Sequence, residues 1–329
     1  MTRLEGRTRS TGDHLVLALK GFCMGAADVV PGVSGGTMAF ILGIYEELIG
    51  AIRSFDARFL RLLMSMRFRE AAGHARWKFV GAVGAGILCA VFSLARLLSW
   101  LLHNHPVPVW AFFFGLIVAS LFTVSRRIRR WRPRVPGGIL LGAAGTYLLV
   151  GVVPMSTPDA PWFLFLSGAV AICAMILPGI SGAFILVLLG KYLFVLEAVS
   201  HRDLVTLGLV AAGAAAGLIA FSRLLGWLFQ RFHDATIAFL TGLMLGSLRK
   251  IWPWKETATP AGGDAGATAV PANVLPAQWT PEVALALVLA LAGFLAVVAL
   301  NRWAEVGAGP RSEPGHPFAP PARGDRERS

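Results

Sequence analysis

A chain of 329 residues that is 56% hydrophobic and only 15% charged, with a mean hydropathy of +0.66, carries far less charge than the roughly 25% of soluble domains. It reads as a membrane protein. The net charge of +12 does not point to nucleic acid, because the arginines fall in short runs between apolar stretches, as in cytoplasmic loops, and there is no stacking platform or groove-reading motif.

In chain order, residues 1–13 form a basic N-terminal segment with no small-residue cleavage site after a first apolar core, and are expected to stay on the cytoplasmic side. Apolar runs at 14–30 and 33–50 flank the stretch DVVPGVSGG (28–36) and are expected to form a broken hairpin, 14–50. The basic stretch 53–78 mixes arginines with Phe, Leu, Met and Trp, the composition of an interfacial helix on an anionic leaflet. Spans at 79–102, 107–124 and 137–154 complete a first unit, 14–154, since a spanning helix needs about 20 mostly apolar residues. The second unit, 155–301, opens with a hairpin at 161–199 around MILPGISG (175–182) and continues with spans at 204–229, 235–251 and 281–301. A Gly/Pro/Ala-rich loop covers 255–280, and the polar tail 302–329 is expected to be disordered and cytoplasmic. Cys23, Cys89 and Cys173 lie singly in apolar runs, with no CxxC pair and no His at ligand spacing, so neither disulfide, metal nor cofactor is expected.

The two units are copies. Pro31, Gly32, Ser34, Gly35, Gly43 and Tyr45 meet Pro178, Gly179, Ser181, Gly182, Gly190 and Tyr192 at an offset of 147. A second register, at an offset of 127, overlays Arg96 and Trp100 on Arg223 and Trp227, and Gly115 on Gly242. The offsets differ by the extra basic stretch of the first copy. A hairpin plus three spans crosses the bilayer an odd number of times whether the hairpin re-enters or fully spans, so the second copy is expected to be inverted. The distribution of arginines agrees, with 53–78 and 126–134 on one side and 103–108, 155–162 and 252–280 on the other. The expected fold is an all-α polytopic integral membrane protein built as an inverted internal repeat, a common plan for transporters whose broken helices meet near the midplane.

Pro and Gly are poor residues for a helix interior, and a break in lipid is tolerated only where its freed backbone groups are buried in protein or face a wet cavity. The breaks therefore mark the candidate substrate site: Pro31, Gly32, Ser34, Gly35, Gly36 and Thr37 in the first copy, and Pro178, Gly179, Ser181 and Gly182 in the second. A helix restarting there offers backbone N–H groups to an anion, although a lone Pro-Gly-x-Ser-Gly could equally be a packing turn. Arg96 and Arg223, deep in apolar stretches, cost about 2.5–3.5 kcal/mol each on insertion scales. They are expected to converge on one anion, the alternatives being snorkelling or pairing with Asp28. Asp28 and Glu46 have no acidic counterparts in the second copy and are candidates for ion coupling; Glu46 and Glu47 could instead cap the membrane boundary. His103, His105, His201 and His233 sit in loops, expected to be solvated, and no catalytic residue is assigned.

The segments KGFCMGAADVVPGVSGGTMAFILGIYEELI (20–49), ILPGISGAFILVLLGKY (176–192) and GLMLGSLRKIWPW (242–254) resemble the bacterial membrane family catalogued as domain of unknown function 368, whose members include polyprenyl-phosphate translocases of the PopT type. The resemblance spans about residues 14–301. It implies a non-enzymatic carrier in the bacterial cytoplasmic membrane that returns undecaprenyl phosphate from the outer to the cytoplasmic leaflet, with that lipid and the surrounding bilayer as partners; the oligomeric state stays open. Two other readings remain. One is a lipid-phosphate phosphatase, but undecaprenyl-pyrophosphate phosphatases carry Pro-Gly-x-Ser-Arg-Ser, and here Gly follows both Ser34 and Ser181. The other is a carrier for a small inorganic anion, which needs the same donors.

Overall fold

The computed structural model describes residues 11–29, 34–152, 157–256 and 272–306. The expectations for residues 1–10, for Pro31 and Gly32, for 257–271 and for the tail from 307 lie outside these described residues. The remainder is almost wholly helical: α1 (Thr11–Asp28), α2 (Gly35–Ile41), α3 (Tyr45–Arg53), α4 (Ala57–Met64), α5 (Phe68–His74), α6 (Trp77–Asn104), α7 (Pro106–Ser125), α8 (Arg134–Val150), α9 (Pro161–Ile176), α10 (Gly182–Leu188), α11 (Tyr192–Ser200), α12 (Leu204–Ile251) and α13 (Pro281–Val306), with a two-stranded ribbon of β1 (Lys255–Glu256) and β2 (Ala272–Asn273).

Helices α6, α7, α12 and α13 are long and apolar enough to cross a membrane, and α8 and α9 are shorter apolar helices. The pairs α2–α3 and α10–α11 are bent by 118° and 106°. Each bend turns on a glycine in the left-handed region, Gly43 (φ 72°) and Gly190 (φ 63°), a conformation that costs a residue with a Cβ about 1–2 kcal/mol. Pro106 and Pro161 open α7 and α9 at a position where the missing N–H costs nothing. Asp203 caps α12 by accepting from the amides of Val205 and Thr206 at 3.1 and 3.2 Å.

Two regions differ from the simplest reading of the sequence. Residues 204–251 are two helical segments that meet without a loop at a kink on one non-helical residue, Phe232 (φ −136°, ψ 46°), between the spans expected at 204–229 and 235–251. The basic stretch 53–78 is two short helices, α4 and α5, separated by a turn at Met66 (φ 55°). Asp56 holds this pair together, accepting from the Phe59 amide at 2.9 Å and facing His74 Nε2 at 2.9 Å.

Packing between the long helices rests on glycine contacts, as is usual where lipid supplies no hydrophobic drive between helices. A Cβ at Gly21 would stand 2.1 Å from the Val83 carbonyl oxygen and one at Gly86 1.9 Å from that of Ala18, which seats α1 on α6. Gly168 against Val210 (2.2 Å) and Gly213 against Phe165 (1.8 Å) seat α9 on α12 in the same way. These two seams are related by the sequence offsets. A further related pair crosses between the halves: Gly115 meets Ala290 and Gly293 meets Phe112 where α7 packs on α13, while Gly242 meets Ile139 and Gly142 meets Phe239 where α12 packs on α8. The last helix of each half is therefore packed against the other half.

These seams predict a sharp contrast between glycines of one helix. Gly213→Val drives its side chain into the Phe165 carbonyl and is expected to cost about 3 kcal/mol, the upper end for overpacking. Gly208→Ala, with nothing within 4 Å of its would-be Cβ, is expected to be neutral or to stabilise by up to about 1 kcal/mol through helix propensity. Thermal unfolding of the detergent-solubilised variants separates the two.

Candidate functional site

The two breaks meet. The last carbonyls of α9 lose their helical partners because the chain turns at Pro178, which has no N–H to give. Side chains of the first hairpin supply the missing donors. Ser34 Oγ donates to the carbonyls of Met175 at 3.1 Å and Leu177 at 3.4 Å, and Tyr45 Oη donates to that of Ile176 at 3.1 Å. In the other direction, the Gly179 amide donates to Thr37 Oγ1 at 2.9 Å.

Glycine is required on both sides of this junction. A Cβ at Gly36 would lie 2.5 Å from the Ile176 carbonyl oxygen. Gly179 has φ 91° and would bring a Cβ to 2.9 Å from the Leu243 carbonyl. Ser34 also caps its own helix, accepting from the Gly36 amide at 3.1 Å. Ser34, Gly35, Gly36, Thr37, Pro178, Gly179 and Gly182 are all buried, and Ser181 is half-buried.

The first break already holds an acidic side chain. Asp28, at the end of α1, accepts from the Gly35 amide at 2.6 Å, so a carboxylate occupies the N-terminus of α2. The second break differs: Met175 and Phe184 stand where Asp28 and Thr37 stand in the first copy, and Ser181 precedes α10 without a side-chain cap bond. The junction is thus chemically lopsided, with polar side chains from the first copy and backbone groups from the second.

Arg96 and Arg223 do not join this cluster. Both side chains are exposed on the outer faces of α6 and α12, and no ion pair between Arg96 and Asp28 occurs among the described residues. The reason is helical geometry: Ser222, Leu225, Gly226 and Phe229 form the buried stripe of α12, and Arg223, about 100° round from Ser222, falls beside it.

Glu46 lies elsewhere again. Its Oε1 is 3.5 Å from His233 Nε2, at the kink of α12, and His233 Nδ1 is 3.3 Å from Asp234 Oδ1. Asp234 in turn accepts from the amides of Arg129 and Arg130, each at 3.2 Å. His233 is therefore a tether between α3, the kink and the α7–α8 loop rather than a solvated loop residue. Lys191 was also not singled out by the sequence. Its side chain is 2% exposed, pairs with the Asp159 carboxylate and donates to the Thr157 carbonyl at 2.8 Å. The signal available was a lone lysine beside the turning Gly190 of an apolar run.

The fold and junction define a polytopic all-α membrane protein whose two broken hairpins share one buried polar contact. The chain belongs to the undecaprenyl phosphate translocase-like family, which matches residues 24–269. It is 42% identical over 308 residues to a polyprenyl-phosphate transporter of Vibrio cholerae, covering 90% of this chain and 98% of that protein. It is 30% identical over 257 residues to a polyprenyl-phosphate transporter of Staphylococcus aureus, covering 73% and 86%. No solved structure matches the chain.

Two outcomes follow from the geometry. Thr37→Val leaves the Gly179 amide buried without an acceptor and is expected to lower stability by about 1–3 kcal/mol, read as a fall in Tm. His233→Leu takes the ring partner away from the half-buried Glu46 and from Asp234 and is expected to lower Tm by the equivalent of about 1–2 kcal/mol.

Proposed function

We propose that this chain carries polyprenyl phosphate across the bacterial cytoplasmic membrane, returning undecaprenyl phosphate from the outer to the cytoplasmic leaflet. The observation that supports it most is the junction of the two breaks in a chain of this family. Donors suited to a phosphate, the Ser34 hydroxyl and the amides of Gly35 and Gly179, are gathered at one buried point. At rest they are taken by protein oxygens. In this mechanism the headgroup enters as the hairpins part and exchanges with those oxygens, while the polyprenyl chain stays in lipid.

Asp28 gives the exchange an ion-coupled step. Its carboxylate competes with the phosphate for the Gly35 amide, so neutralising it by protonation favours substrate and losing the proton favours release. The exposed Arg96 and Arg223 neutralise the phosphate at the protein–lipid boundary, where a guanidinium fork suits phosphate oxygens. The duplicated packing supports an inverted repeat, with both termini cytoplasmic. The chain acts without covalent chemistry: a serine nucleophile needs a nearby base, whereas Ser34 donates to main-chain carbonyls and Asp28 faces an amide.

Proteoliposomes loaded with a short-chain polyprenyl phosphate test this reading. The native chain is expected to move it between leaflets, Asp28→Asn to shift the dependence on pH, and Arg96→Ala/Arg223→Ala to slow transfer at least tenfold with Tm unchanged. Release of free phosphate from undecaprenyl pyrophosphate, with no lipid movement, would replace the transporter by the enzyme.

A further inference from the structure

Helix α12 connects the junction to a second cationic feature. Leu243, whose carbonyl abuts Gly179, is followed seven residues later by Lys250, on the same face and about 10 Å further along the helix. The Lys250 ammonium lies 3.3 Å from the centroid of the Phe184 ring. Phe184 is on α10, one turn beyond Ser181. The lysine is half-buried, and among the described residues no carboxylate is paired with it.

Capping of the helix end does not account for this lysine. Cations in a last turn interact favourably with the terminal carbonyls, but Lys255 does that here, donating its ammonium to the Lys250 carbonyl. Asn273 Nδ2 takes the Arg249 carbonyl at 2.9 Å. Arg249 itself is used in packing, with its guanidinium 4.3 Å from the Tyr147 ring and donating to the Tyr147 carbonyl at 2.8 Å. Two ammonium groups therefore stand at one helix end, Lys250 half-buried and Lys255 exposed, and among the described residues their recorded contacts are aromatic faces and one carbonyl. A ring face recovers only part of the hydration that a desolvated cation gives up, and such a cation usually faces a partner or a cavity.

The surroundings favour a ligand with a hydrocarbon tail. Lys255 lies 5.2 Å from the Trp110 ring, and both line a cleft of about 380 Å³ whose walls are otherwise mostly apolar, Val107, Trp254, Leu275 and Pro276 among them, with the Glu256 carboxylate at its edge. We infer that Lys250 and Lys255 form a receiving site for a phosphate monoester beside the second hairpin, with the cleft taking the first isoprene units of a lipid that carries it. The inference rests on the transport reading and names where the substrate is first held.

Binding of farnesyl phosphate to the intact protein in zwitterionic nanodiscs, followed by tryptophan fluorescence, tests the site. Lys250→Gln and Lys255→Gln are each expected to weaken binding about tenfold, and Lys250→Arg to keep it within about threefold, with native Tm throughout. Inorganic phosphate competing as well as farnesyl phosphate would support the site and assign it to the free anion; competition only by the lipid would support it and assign it to the headgroup. Unchanged affinity in Lys250→Gln would overturn the site while leaving transport standing. A native chain that moves no polyprenyl phosphate in proteoliposomes would instead overturn the transport reading.

Discussion

Inside a bilayer every backbone amide and carbonyl needs a partner within the protein, and here the first helix break supplies partners to the second. Ser34 and Tyr45 donate to the carbonyls of Met175, Leu177 and Ile176, and Thr37 accepts from Gly179. Without these four side-chain contacts, the end of α9 would leave several polar groups bare at a cost of about 1–3 kcal/mol each. The rest of the architecture holds the two breaks in register. Glycine seams pin α1 to α6 and α9 to α12, and α8 and α13 each cross to the other half.

This arrangement ties stability to function. The groups that satisfy the breaks are also the groups that the proposed mechanism assigns to the phosphate, and in that mechanism the resting contacts hold the place of substrate. The Asp28 carboxylate on the Gly35 amide is the clearest case, because it puts an anionic oxygen where the headgroup oxygen is proposed to go. A transporter benefits from such exchangeable bonds. Donors left open in the resting state would destabilise it, and donors held too tightly would exclude the substrate.

Much of this was legible in the sequence, for definite reasons. The repeat of Pro-Gly-x-Ser-Gly at a fixed offset marks both breaks, because only Pro and Gly interrupt an apolar helix so abruptly. Glycines at paired positions, such as Gly86 with Gly213 and Gly115 with Gly242, carry the seams. What the sequence left hidden depends on side-chain direction. Arg96 and Arg223 sit at matching positions of the repeat, yet a rotation of about 100° takes Arg223 off the buried stripe. Tyr45 and Thr37 have no motif that points them at the other break, and the link between Glu46 and His233 joins residues nearly two hundred positions apart. The gap read between 204–229 and 235–251 does hold the kink at Phe232, but with no proline or glycine there nothing local told a kink from a loop.

The central claim is that substrate phosphate replaces protein oxygens at the junction of the breaks. The most direct measurement follows the amide resonances of Gly35 and Gly179 in ¹⁵N-glycine-labelled protein in nanodiscs, with farnesyl phosphate added and with farnesol as the uncharged control. The account predicts that both amides shift with the phosphate and that neither shifts with the alcohol. Saturating phosphate binding that leaves both amides unmoved, or equal shifts with farnesol, would contradict it.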